Sequence, residues 1–403
     1  MNTAASPAPA ARPWPKPAVT RGRPAPPHRV HDYTDLAVRG LQKSYITDSA
    51  EFSQTVWQTH AGPGMALHRE GRNLRYAAIV ALGLSTVAPE TQRVVLRGST
   101  LQHLIETAVA RAWNTLDPGA IALVAWASAE VLGAPAPRLL ERMERILDSR
   151  NPISTVVGSW MLSAAVASLS TSPTVEHGAE IARISRERLL DAQGPFGIFP
   201  HALPAAALNR LRAHVGCFAD QVYPLQALSR LAAFTTDPEA LRAAELCADR
   251  ICELQGPDGQ WWWHYDARDG SVVEKYPVYS VHQHAMAPMA FLDLAESGGD
   301  DHRDAVWLGI DWLRSHPEVD DELVDDDRAM IWRKAGRREP AKAARTVAAV
   351  TTSVRPGWHM PGIDKVFPPN RVDRECRPYE LGWLLYAWRD GADRALHEEE
   401  RRA

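Results

Sequence analysis

Acidic, imidazole, aromatic and guanidinium side chains recur at the starts of the most apolar helical segments, where backbone N–H groups favour anions. Arg75 and Tyr76 open one such segment, Asp220 and Gln221 another, His282 and Gln283 a third, and Tyr379 and Glu380 a fourth. The run RVDRECRPYE adds Arg374 and Arg377, and the approach to His282 supplies Trp262, Trp263 and Tyr279. This mixture suits a sugar or a uronate. Tryptophan and tyrosine stack on ring faces, glutamine and histidine bind hydroxyls, and arginine pairs with a carboxylate. Asp220 and Glu380 are the candidate acid and base, with His282 between them. Neighbouring helices lie about 8–10 Å apart, so the two carboxyls are expected roughly 6–10 Å apart, overlapping the separation in inverting glycosidases. A uronate opens a second route, in which Arg377 or Arg75 neutralises the carboxylate and His282 or Tyr279 removes the neighbouring proton.

The elements that must position these residues repeat. AQGPFGIF (Gln193, Gly197, Phe199) is followed by DQVYPLQALSRLA, and LQGPDGQW (Gln255, Gly259, Trp261) by HQHAMAPMAFLDLA. Both the loop glutamines and the later glutamines, Gln221 and Gln283, are 62 positions apart. A fixed period of this kind marks stacked supersecondary units. Apolar helices are expected at 74–84, 120–132, 156–169, 220–234, 282–295 and 379–388. More amphipathic ones are expected at 51–59, 99–114, 137–147, 175–192, 238–254 and 303–315. Six apolar helices inside and about six amphipathic ones outside predict an all-α (α/α)6 toroid, without runs of alternating strands. Asp237-Pro238 and Ser172-Pro173 are expected to open outer helices. A charged, Pro-rich insertion at 316–377 precedes the last inner helix and is expected to be a lid or an unstructured excursion.

Composition bounds the rest. The net charge of −4 excludes the concentrated basic excess of a duplex binder, so no nucleic-acid partner is expected. The four cysteines form no CxxC pair, and no metal or cofactor is called for. Residues 1–32 read as a disordered Pro/Ala-rich tail and 396–403 as a charged one, flanking a single toroid domain at 33–395. With neither an apolar signal segment nor a run long enough to span a bilayer, a cytoplasmic location is expected.

The Q-x3-G-x-[WF] loops resemble the QW repeats of terpenoid cyclases and protein prenyltransferases. They equally resemble the loops of six-hairpin glycosidases, sugar epimerases and unsaturated glucuronyl hydrolases. The resemblance is clear over about 170–300 and implies the toroid, not its chemistry. The glycines are expected to permit tight turns, Gln255 to bind backbone groups freed at the outer helix end, and Trp261 or Phe199 to pack the loop.

The primary expectation is a carbohydrate-active hydrolase, lyase or epimerase acting on an oligosaccharide, uronate or activated glycan intermediate. The stretch LVDDDRAMIW resembles the acid motif of class II terpenoid cyclases, which implies Asp326 as a proton donor supported by Asp327. Val324 stands where the motif has its first aspartate and Arg328 where it has threonine. That alternative would admit a divalent metal. The basic run Arg333, Lys334, Arg337, Arg338, Lys342 and Arg345 could then hold a diphosphate, or rest peripherally on an anionic membrane (333–345). A non-catalytic binding toroid is the third reading.

Overall fold

In the computed structural model the residues described are 27–58, 67–340 and 342–389. Residues 1–26 of the expected tail at 1–32, and all of the tail expected at 396–403, lie outside them. Six inner helices run Leu74–Leu84, Pro118–Leu132, Thr155–Thr171, Ala219–Thr235, His282–Glu296 and Pro378–Ala387. Each packs on the next, and the sixth returns to the first, closing the ring. The closure is tight because it is built on glycine. A Cβ on Gly83 would fall 2.2 Å from the carbonyl oxygen of Gly382, so the first and sixth inner helices touch backbone to backbone.

Inner helices are buried on nearly every face because neighbours lie on both sides and an outer helix lies behind. The third, for example, buries all but its ends. Outer helices at Leu101–Ala112, Pro137–Asp148, Gly178–Ala192, Pro238–Glu253 and Arg303–Ser315 flank the ring. Asp237 caps one of them by accepting from the N–H groups of Glu239 and Ala240.

Several expectations are corrected. The outer helix expected at 51–59 is instead two short strands, Glu51–Phe52 and Thr55–Gln58. The sixth outer helix is Pro27–Ser44, which packs on the last inner helix. Its first residues, from Pro27, lie inside the expected tail. Ser172-Pro173 does not open a helix; the next one starts at Gly178. Short antiparallel strands, not expected, bridge the loops at the ring's mouth, and the insertion contributes several of them. Its strand Lys334–Gly336 pairs between Val278–Tyr279 and Arg371–Asp373, while Glu375–Cys376 pairs with Thr55–Gln58.

The fifth inner helix also departs from regularity. His282–Met286 is one π-helical turn before the α-helix resumes at Ala287. Pro288 has no N–H to offer the carbonyl four residues back. That carbonyl, on His284, accepts instead from the Trp388 indole at 2.9 Å.

Candidate active site

The first, fourth, fifth and sixth inner helices bring their N-terminal side chains to one end of the ring. Below that end the axis is filled. Trp160, Tyr223, Trp126, Trp383 and Tyr386 pack edge-on and tilted against one another, and the Trp383 indole donates to the Tyr223 hydroxyl at 2.8 Å. The ring is therefore closed underneath, and its fourth and sixth inner helices meet across the axis one turn below Asp220 and Glu380.

The sixth helix begins in a capping box in which Glu380 accepts from the Arg377 backbone N–H at 3.2 Å. Its other carboxylate oxygen is buried without a hydrogen bond, 3.7 Å from Arg333 Nε. Burial pushes the Glu380 acid up to about 7, with Arg333 and Arg377 pulling against that rise. Arg377 donates to the Tyr76 hydroxyl at 3.2 Å and pairs with Glu375 at 3.3 Å. Tyr76 lies against Tyr379, ring centroids 4.7 Å apart. Arg333 pairs with Glu375 at 3.4 Å and covers the Tyr279 ring at 5.2 Å, beside Lys334 at 5.4 Å.

Tyr279, Trp263 and His282 form a stacked platform. Trp263 is nearly parallel to His282, 5.9 Å away and at 10°, and Tyr279 is 4.7 Å from Trp263. Burial holds His282 down to about 3, so its imidazole is neutral at ordinary pH and a weak base. It contributes a flat surface and one unpartnered ring nitrogen, Nδ1.

The fourth hairpin places a different set on the same template. Subtracting the 62-residue repeat maps Trp263, Tyr279 and His282 onto His201, Cys217 and Asp220. The Asp220 carboxylate is fully buried. One oxygen faces His201 Nδ1 at 2.9 Å and accepts from the Cys217 backbone N–H at 2.7 Å. Its other oxygen has no partner. Asp220 raises the His201 imidazole above its ordinary value, while burial pushes the Cys217 thiol well up.

Other expected site residues have structural partners. Gln221 accepts from the Phe199 N–H and donates to the carbonyls of Phe199 and Cys217, so its amide is occupied in holding the loop. Gln283 donates to the Tyr279 carbonyl at 3.3 Å and is fully buried. Arg75 grips Asp117, which caps the second inner helix, with two hydrogen bonds, so its fork is not free for a substrate. Trp262 leaves the platform and packs over the Gly256 turn, Tyr276 and Lys275. Arg374 reaches outward to Gln58 and Asp321. With Trp57, Asp373, Glu375 and Arg377 it lines a polar cleft of about 620 Å³ beside the mouth.

The motif glutamines act as cross-hairpin clamps, not as caps of the helix before them. Gln193 donates to the carbonyls of Gly197 and Ala243, and Gln255 to those of Gly259 and Ala305. Each ties its own loop to the next outer helix. Gly197 and Gly259 carry the expected positive φ, at 83° and 100°.

Asp326 is corrected most clearly. It lies at the surface, half-exposed, in an ion pair with Arg314 at 2.9 Å. A carboxyl that protonates an alkene needs an enclosed apolar chamber, and Asp326 faces none. Asp327 is likewise exposed. The basic run is split, with Arg338 and Lys342 left exposed. Arg333, Lys334 and Arg337 turn inward onto Glu375, Asp373 and Glu274. Sequence reading placed Arg333 in that run and overlooked His201 and Glu375 at the mouth. The signal for His201 was the repeat itself, since it aligns with Trp263.

Among the described residues no helix is long and apolar enough to cross a membrane. No family model matches the chain, and no curated protein sequence is similar to it. Solved structures do resemble it. An unsaturated glucuronyl hydrolase specific for heparin superposes with a TM-score of 0.59 at 11% identity, covering 93% of this chain and 99% of that one. A family 88 glycosyl hydrolase from Bacteroides vulgatus gives 0.55 at 10% identity, covering 89% and 97%. An unsaturated glucuronyl hydrolase from Streptococcus agalactiae gives 0.51 at 10%, covering 93% and 96%. Identity this low speaks for the fold and not the reaction: the chain is an (α/α)6 toroid with the architecture of these glycosidases.

Proposed function

We propose that this protein is a glycan-processing enzyme that takes a uronate-bearing oligosaccharide at the mouth of the ring. The observation that carries the reading is Glu380. It is a buried acid raised to about 7, set beside Arg333 and Arg377 and among the rings of Tyr76 and Tyr379. At neutral pH such a group is about half protonated, as a general acid should be. Trp263, the partly exposed ring of the platform, backed by the buried Tyr279 and His282, offers a stacking face for a sugar ring. Arg333 and Arg377 supply charge for a carboxylate, and the cleft lined by Trp57 and Arg374 leaves room for further sugars. Asp220, with one unpartnered oxygen, is the second carboxyl. Hydrolysis is favoured over elimination or epimerisation with His282 as the base, because His282 is too weakly basic to abstract a carbon-bound proton. Two of the three similar folds cited above belong to proteins named as unsaturated glucuronyl hydrolases, which supports the same reading.

The test offers the purified protein uronate oligosaccharides, neutral oligosaccharides and polyprenyl diphosphates, with products read by mass spectrometry. Cleavage of the uronate set alone is expected, abolished in Glu380→Gln and weakened in Trp263→Ala. A cyclised product from a polyprenyl diphosphate, lost in Asp326→Ala, would overturn the proposal.

A further inference from the structure

We propose that His201, Cys217 and Asp220 form a binding site for a thiophilic divalent cation of the zinc class. A nitrogen, a sulfur and a carboxylate oxygen, one from each residue, lie within 4.8 Å of one another. Zinc bonds of about 2.0 Å to nitrogen and oxygen and about 2.3 Å to sulfur place tetrahedral ligands roughly 3.3–3.5 Å apart. His201 Nδ1 and Asp220 are already 2.9 Å apart, so the ion takes the place of the proton they share. Rotation of the Cys217 side chain closes the remainder.

Two further observations point the same way. Asp220 keeps one buried oxygen without any partner, an arrangement that is costly unless something else completes it. The 62-residue repeat also shows that this template converges three side chains. In the fifth hairpin the corresponding positions hold Trp263, Tyr279 and His282 in mutual contact. The fourth hairpin uses the same convergence for three metal-ligand side chains.

The chemistry selects the ion. A thiolate and an imidazole favour zinc-type cations over magnesium or calcium. One thiolate, one carboxylate and a neutral imidazole balance a divalent charge in a buried setting. Three protein ligands leave a fourth position, and His201, with its side chain 47% exposed, leaves a path to solvent. The site lies beside the platform, since Phe218, next to Cys217, stacks on His282 with ring centroids 4.5 Å apart. If the function proposed above holds, water bound to the ion would be activated there in place of a free Asp220 carboxylate.

The test is calorimetric titration of the reduced, metal-stripped full chain with Zn²⁺, and with Mg²⁺ separately. Co²⁺ then serves as a spectroscopic probe of thiolate ligation. One Zn²⁺ per chain, no Mg²⁺, a Co²⁺–thiolate charge-transfer band and proton release from Cys217 on binding are expected. Cys217→Ser and His201→Ala should each weaken Zn²⁺ by roughly a hundredfold or more, beyond the effect of losing a supporting group. His201 is exposed enough for its variant to fold, and circular dichroism verifies that for both. Absence of stoichiometric binding, or binding unchanged in either folded variant, overturns the proposal. Neither readout uses turnover, so failure of the glycan reading would leave this result standing, and the reverse.

Discussion

Replacing Glu380 with glutamine should make the protein more stable, and increasingly so as the pH rises. In the folded chain burial raises this acid from its ordinary 4.5 to about 7. Over that window the folded state holds a proton that the unfolded state has released, so its stability falls as pH rises. Each pH unit of one-proton difference is worth about 1.4 kcal/mol. The penalty in the wild type therefore grows from nothing below pH 4.5 to about 3 kcal/mol above pH 7. Glutamine keeps the shape and the hydrogen-bond acceptor but cannot ionise. With an unfolding entropy near 2.1 cal/mol/K per residue, the variant's melting temperature should exceed the wild type's by about 4 °C at pH 8 and match it near pH 4.5. Thermal melts of both proteins across pH 4.5–8 supply the comparison. A difference that is flat with pH, or that shrinks as pH rises, would refute the reasoning. It would mean that Arg333 and Arg377 hold the carboxylate ionised despite its burial, leaving no proton for Glu380 to donate at neutral pH.

Two further predictions concern the frame. Under the aromatic plug, Arg230 joins Glu130 and the Tyr386 hydroxyl, while Arg389 joins Asp293. Arg230→Met leaves the part-buried Glu130 beside no cation and should cost about 1.5–3 kcal/mol in chemical denaturation; Arg230→Met with Glu130→Gln should recover part of it, and a loss no smaller in the double variant would contradict the pairing. In the second QGP loop, Gln255→Ala frees two carbonyls and should cost about 1–2 kcal/mol. Gly259→Ala should cost more, about 2–4 kcal/mol, because its φ is +100° and a Cβ would fall 2.1 Å from the Leu308 carbonyl oxygen; equal melting shifts for the two would sink the clamp reading.

What the sequence determined by itself is the ring. Runs of small and apolar residues without a polar face can only be buried on all sides, and the 62-residue repeat stacks them as equivalent hairpins. The inner helices accordingly lie within a few residues of their expected bounds, with Asp220, His282, Tyr379 and Glu380 all at one end. Tertiary structure decided what those residues do there. Arg75 and Gln221 share residue types with sugar-binding groups, but each holds a partner distant in sequence: Asp117 for Arg75 and Phe199 for Gln221. The helix expected at 51–59 was lost to pairing with Glu375–Cys376, more than three hundred residues away, which no local pattern encodes. The same holds for charge. Asp326 and Glu380 are both acids near arginine in the sequence. Only packing leaves the first solvated beside Arg314 and buries the second, and burial is what moves an acid toward neutrality.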